Sequence, residues 1–168
     1  MRIFVTGVAT GITVSLLGIA LLAYFWPWQV EATRAPSDTE TWLLQKILDK
    51  AVARQAPSVA TSTAISEDDL RAGMKIFLNG CAGCHGSARH PSEWGTTSFF
   101  PRVPQFSANP THKPAWQIHW IVKNGIRNTG MAGWEHLISD DQIWKVSMFV
   151  SRIGSLPPTI DAEWRAPP

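Results

Sequence analysis

The sequence predicts an all-α protein, and three observations carry that reading. Residues 3–28 form an apolar run interrupted only by Thr6, Thr10, Thr13, Ser15 and glycines, with Arg2 as the sole charge at its start. Apolar residues then recur at helical spacing in four further stretches, three of which begin at a Ser, Thr or Asp suited to capping a helix. The segments between them are rich in Pro and Gly and read as loops.

As a helix, residues 3–28 would extend roughly 39 Å, enough to cross a bilayer with some tilt. Trp26-Pro27-Trp28 supplies an interfacial aromatic anchor and a helix stop. Val30-Glu31-Ala32 resembles the cleavage site of a secretory signal, but the apolar region is much longer than the ~7–15 residues of a signal core. A retained anchor over residues 1–30 is the favoured expectation. Either reading sends the remainder across the membrane, and Arg2 agrees with an inside N-terminus.

Leu43, Leu44, Ile47, Leu48, Ala51 and Val52 form the next helical stripe, with Asp38 or Thr39 as its cap and an end before Pro57. It is expected to pack on a domain surface; the sharper alternative is docking of the stripe on a partner subunit or on the membrane. With the Ser-, Thr- and Ala-rich linker at 57–64 it makes up a segment over 31–65. Ser66 caps a third helix whose first turn carries Glu67, Asp68 and Asp69, and Asn79-Gly80 ends it. A loop of about 25 residues follows, where prolines at 91, 101, 104 and 110 forbid long regular structure. Residues 115–124 read as a short helix closed by Gly125. Ser139 caps the last helix, with Ile143, Val146, Phe149, Val150 and Ile153 on its apolar face and Pro157-Pro158 after it. The domain should therefore span 66–156, and 157–168 form a tail without functional signal.

The chain has 168 residues, room for about one compact domain plus attachments. Its formal net charge is +2, and residues 66–156 hold nine Lys/Arg against seven Asp/Glu. No basic run interleaved with aromatics reads as nucleic-acid binding. Paired carboxylates, a nucleophile triad and a phosphate loop are not recognisable, so an independent enzymatic role is not expected.

Both cysteines of the chain lie in Cys81-Ala82-Gly83-Cys84-His85. Two thiols two residues apart on one turn can each add to a porphyrin vinyl group, while the following imidazole comes up beneath the iron; this is the attachment pattern of haem c. A structural zinc site would need a second pair of ligands, and His90 is a poor substitute. A thioredoxin-like pair would sit in alternating strands and helices and would not require the histidine. A disulfide between Cys81 and Cys84 would staple almost nothing. One covalent haem is the expectation, and six of the nine tryptophans, Trp94, Trp116, Trp120, Trp134, Trp144 and Trp164, follow the motif in a part of the chain that must pack around a flat apolar ring.

An ordered series of segments resembles the class I c-type cytochromes: Gly73 and Phe77 on the helix before the motif, C-A-G-C-H, Pro104-Gln105-Phe106, Trp120-Ile121-Val122-Lys123-Asn124-Gly125-Ile126, Thr129-Gly130-Met131, and Ile143-Trp144 with Phe149 on the last helix. The series covers about residues 66–156 and is most similar to the membrane-anchored monohaem cytochromes of bacterial respiratory chains. The resemblance implies a small helical fold around one haem and an extracytoplasmic place of attachment. It also implies that His85 is the proximal iron ligand and donates its other ring nitrogen to the carbonyl of Pro104.

Met131, bounded by glycines in a turn, is the expected distal ligand. Met74 and Met148 lie in helices where core packing suits them better. Among the histidines, His90 is too near His85 to reach round the ring, and His112, His119 and His136 are weaker alternatives to Met131. Arg102, Arg127 and Trp120 are candidates for the haem propionates, the two arginines otherwise being surface charges and the tryptophan core. Gly73 and Phe77 are expected to meet Phe149 where the first and last helices cross, with Trp144 as the other partner for that contact. One departure stands out: the family commonly has Pro after the methionine, and this chain has Ala132-Gly133, which predicts a looser loop.

The function expected is one-electron transfer with His/Met iron ligation, tethered to the outer, periplasmic face of a bacterial inner membrane, between a redox protein donor and acceptor. Two alternatives stand beside it: a fixed cytochrome subunit of a larger oxidase, reductase or dehydrogenase complex, and a haem sensor or peroxidase-like protein with a displaceable methionine.

Overall fold

The computed structural model describes residues 2–27, 30–58 and 65–166, and among them it contains helices and loops but no strand. Two compact units divide the chain, Met1–Glu31 and Ala32–Pro168. The first unit holds α1, Arg2–Phe25, whose span Phe4–Phe25 has a mean hydropathy of 2.0 and is long and apolar enough to cross a membrane. Trp28 and residues 59–64 of the linker expected at 57–64 lie outside the described residues.

The second unit opens with α2, Asp38–Gln55. Its cap is Ser37 rather than Asp38 or Thr39: the Ser37 hydroxyl accepts from the Glu40 amide at 3.2 Å, which moves Asp38 into the first turn, where its charge faces the helix dipole. Of the expected stripe, Val52 is buried while Leu43, Leu44 and Ile47 are exposed. Only the C-terminal half packs, against the helix at Ala115–Asn124, with Asp49 paired to Lys113.

Four helices build the core. Helix α3, Glu67–Gly80, is capped by Ser66 and buries Leu70, Gly73, Met74 and Phe77. Helix α6 is Ala115–Asn124, closed by Gly125 in the left-handed region at φ 71°. A reciprocal box starts α7, Asp140–Arg152: Ser139 accepts from the Gln142 amide, and the Gln142 side chain accepts from the Ser139 amide. Helix α8, Pro158–Arg165, begins with Pro at its first position, where the missing N–H costs nothing. Residues 157–168, expected as a tail without functional signal, carry a helix whose Ile160 and Trp164 enter the core.

Helices α3 and α7 cross at Gly73. A Cβ there would stand 2.2 Å from the Lys145 carbonyl oxygen and 3.0 Å from the Phe149 Cβ. The close approach brings Phe77 and Phe149 to a ring separation of 5.8 Å, and Trp164 meets both edge-on at 5.6 and 5.3 Å. Arg71 bridges Asp68 and Glu163, tying α8 to the start of α3.

Trp144 goes elsewhere, stacking on His119 at 4.1 Å. His119 also bonds to Asp140 at 3.1 Å. Burial pushes the His119 pKa down, and the Asp140 carboxylate only partly offsets it. The folded protein therefore binds a proton here less readily than the unfolded chain. This contribution to stability is complete above about pH 6.5 and is lost as the pH falls through that value toward the depressed folded pKa. Replacing His119 by Phe, which keeps a ring on Trp144, should flatten the fall in urea midpoint below pH 6.5; an unchanged pH profile would reject the assignment.

Candidate functional site

The C-A-G-C-H residues leave α3 directly. Cys81 follows its last turn, and α4, Ala82–His85, is the single turn that sets both thiols and the imidazole. Cys81 and Cys84 are free and half-buried. Burial, with a smaller effect of Cys84, pushes the Cys81 thiol up to about 11. His85 Nδ1 lies 2.9 Å from the Pro104 carbonyl oxygen and donates to it, which makes Nε2 the unprotonated nitrogen. Burial lowers the His85 pKa and the bond to Pro104 opposes this only in part, so the ring is held neutral. Phe106 stacks on His85 nearly parallel, at 4.8 Å and 10°.

Gln105, between these two partners, does structural work that its place in the sequence does not advertise. It is buried; its Nε2 donates to the carbonyls of Cys84 and Val103, each at 3.0 Å, and its Oε1 accepts from the Ser92 amide at 2.7 Å. Ser92 caps α5, Glu93–Thr97, and donates to the Gly83 carbonyl at 2.6 Å. Gly95 of that helix lies so close that a Cβ would fall 1.9 Å from the Cys84 carbonyl oxygen. The loop after the motif is thus bonded to the backbone of the motif itself.

Met131 packs against the same core cluster as Cys81, Ala82 and Phe106. Its loop is braced without proline. The Ile126 amide donates to the Met131 carbonyl at 2.9 Å, the Met131 amide to the Thr129 hydroxyl at 3.1 Å, and the Thr129 hydroxyl to the Ile126 carbonyl at 2.8 Å. Trp134 donates its backbone N–H to the carbonyls of Val122 and Lys123. A Cβ on Gly133 would lie 2.9 Å from the Asn124 carbonyl oxygen, so the loop seats directly on the end of α6. Its two edges are covered as well: the Phe99 ring lies over Gly130, and the Trp134 indole over Gly80, the residue before Cys81. In place of the family's proline, Ala132 follows the methionine, and the close approach of Gly133 to α6 joins the hydrogen bonds in holding the loop.

The three propionate candidates have different surroundings. Arg102 places Nη1 within 2.8 Å of the carbonyls of Ala32, Thr97 and Phe99 and Nη2 at 2.8 Å from that of Thr33, so its fork binds backbone. Trp120 lines a groove of about 270 Å³ with Trp116, His119 and Trp144. Arg127 is exposed beside the Met131 loop. Met74 is buried in the core, and His90, His112 and His136 are exposed.

Residues 68–150 match the family described as cytochrome c oxidase, cbb3-type, subunit III. This segment is a class I c-type cytochrome domain. Such a domain implies covalent haem c and a part in electron transfer. The chemistry of the donor set fits that group: two free thiols on one turn followed by a neutral imidazole whose outer nitrogen is already bonded. No curated protein matches the chain. A solved chain of the reducing HAO-like protein complex of Kuenenia stuttgartiensis is similar over 70% of this chain, at 18% identity and a TM-score of 0.43, and the match spans 61% of that chain.

Proposed function

We propose that the cytochrome domain carries a single haem c, attached through Cys81 and Cys84, with iron held between His85 Nε2 and Met131 Sδ, and that it relays one electron at a time. The observation that carries this is the His85–Pro104 bond, which fixes the tautomer and leaves Nε2 unprotonated and able to bind iron. The cofactor supplies a ferrous/ferric couple that gains and loses one electron. Around it, Pro104 and Phe106 hold the imidazole in one orientation, and Gln105 holds the carbonyl side of the cysteine turn. The braced Met131 loop keeps a thioether at one height above the core. With ligand positions set in advance, little rearranges on electron transfer.

Two cysteines suffice for one haem. Cys84 is half-buried and Gly83 exposed, so the thioether edge is the part of the ring a donor or acceptor protein would approach. Helix α1 tethers the domain to the outer face of a bacterial inner membrane, in the orientation that haem c attachment requires. A redox titration of membranes with optical spectra tests this reading: a c-type reduced spectrum with a one-electron transition at a positive midpoint is expected. Absence of c-type bands, or a strongly negative midpoint, would reject it. The match of residues 68–150 to an oxidase-subunit family favours a second reading, a fixed subunit of a larger membrane oxidoreductase. Constant co-purification with other subunits in mild detergent supports that reading, and a chain that always emerges alone removes it.

A further inference from the structure

Helix α2 has an outer face that the cytochrome domain leaves uncovered. Its inner side buries Val52 and Ala56, and Asp49 is paired with Lys113. On the opposite side, Leu43, Lys46, Ile47, Lys50 and Arg54 recur at three- and four-residue steps, which places them on one face. Leu43 is 49% and Ile47 56% exposed, and Trp42 at the margin is 61% exposed. Lys46, Lys50 and Arg54 are exposed too. Of the acidic residues of α2, Asp38 and Asp49 lie on the packed side and Glu40 stands at the N-terminal end of the outer face, which thus carries three basic residues against one acidic.

Aliphatic side chains and a tryptophan flanked by lysine and arginine make the composition of a helix that lies in the headgroup region of an anionic bilayer, with the basic heads on lipid phosphates and the apolar groups below them. The connection to α1 is long enough for this face to reach such a surface. Twelve residues separate Phe25 at the end of α1 from Asp38 at the start of α2, and fully extended they reach at most roughly 40 Å. A second copy of the helix suits the face poorly, because self-pairing would set Lys46, Lys50 and Arg54 against the same charges. We propose that the outer face of α2 binds the anionic lipid surface next to the anchor and so restricts how the cytochrome domain turns on its tether. The proposal rests on the reading of α1 as a retained membrane anchor.

The full-length holoprotein in lipid nanodiscs provides the test, with a nitroxide on Ile47→Cys and, as a control pointing another way, on Gln55→Cys. In discs containing phosphatidylglycerol, the label at 47 should become several-fold more accessible to oxygen relative to a water-soluble nickel chelate, and the label at 55 should not change. In phosphatidylcholine alone, or with Lys46, Lys50 and Arg54 all changed to Gln, the label at 47 should stay in water. A label at 47 that remains in water in both lipids, or that shows spin–spin broadening from a neighbouring copy, overturns the proposal while the anchor stands. A protein that alkaline carbonate washes from the discs overturns the anchor reading and this proposal together.

Discussion

Replacing Gly73 with Ala is expected to cost the cytochrome domain about 3 kcal/mol, a large share of the ~5–15 kcal/mol that holds a domain folded. In an open helix the same change would be favourable by about 1 kcal/mol, since Ala is the better helix former. Here the added carbon would stand 2.2 Å from the Lys145 carbonyl oxygen, an atom that cannot rotate away because it belongs to the backbone of α7. The helices must separate, and separation loosens Phe77, Phe149 and Trp164 together. Gly83→Ala is the control: nothing lies within 4 Å of its would-be Cβ. Urea unfolding decides the matter; a Gly73→Ala midpoint equal to that of the parent would mean that the crossing is not as close as described.

Removing the Met131 thioether should have the largest effect on the redox chemistry. In Met131→Ala the midpoint potential is expected to fall by on the order of 0.1 V, within the roughly 0.8 V range over which axial ligands tune haem. Carbon monoxide should change the ferrous spectrum of the variant and leave that of the parent unaltered. The braced loop is the reason to expect a closed parent: its amides, the Thr129 hydroxyl and the contact of Gly133 with α6 would all have to give before the sulfur moved away. A parent that binds carbon monoxide as readily as Met131→Ala would instead favour a sensor or peroxidase-like role. A variant with unchanged spectrum and potential would remove Met131 from the iron altogether.

What could be read from the sequence was mostly what is local in it. Ser66, Ser139 and Gly125 announce helix ends through a side chain or backbone freedom acting within three or four residues, and the structure has its helix ends there. The crossing of Gly73, Phe77 and Phe149 was legible because a small residue one turn from an aromatic describes a close helix contact. Helix α8 was missed since Pro157-Pro158 reads as a stop, whereas the second proline occupies a first helical position and Ile160 and Trp164 supply an apolar face only four residues long. Helix α7 itself ends sooner, with Gly154 at φ 102°. Arg102 looked like a propionate donor from its charge; nothing in the sequence indicates that four distant or looped carbonyls converge on it. The bracing of the Met131 loop was hidden for a related reason, because it depends on atoms of Asn124, Phe99 and Gly80 that only the folded chain brings near.

The order of the helices also has a kinetic side. Helix α3 ends immediately before Cys81 and α7 begins immediately after Ser139, so the cysteine turn and the Met131 loop both belong to one excursion whose ends meet only when α3 docks on α7. Closing a loop of roughly sixty residues costs about 4 kcal/mol of chain entropy before any contact repays it. For a helical protein this is a non-local contact, and folding is expected to be slower than that of helical bundles. Before that docking the cysteine turn is not yet held against α7, which would leave both thiols accessible for the attachment proposed above.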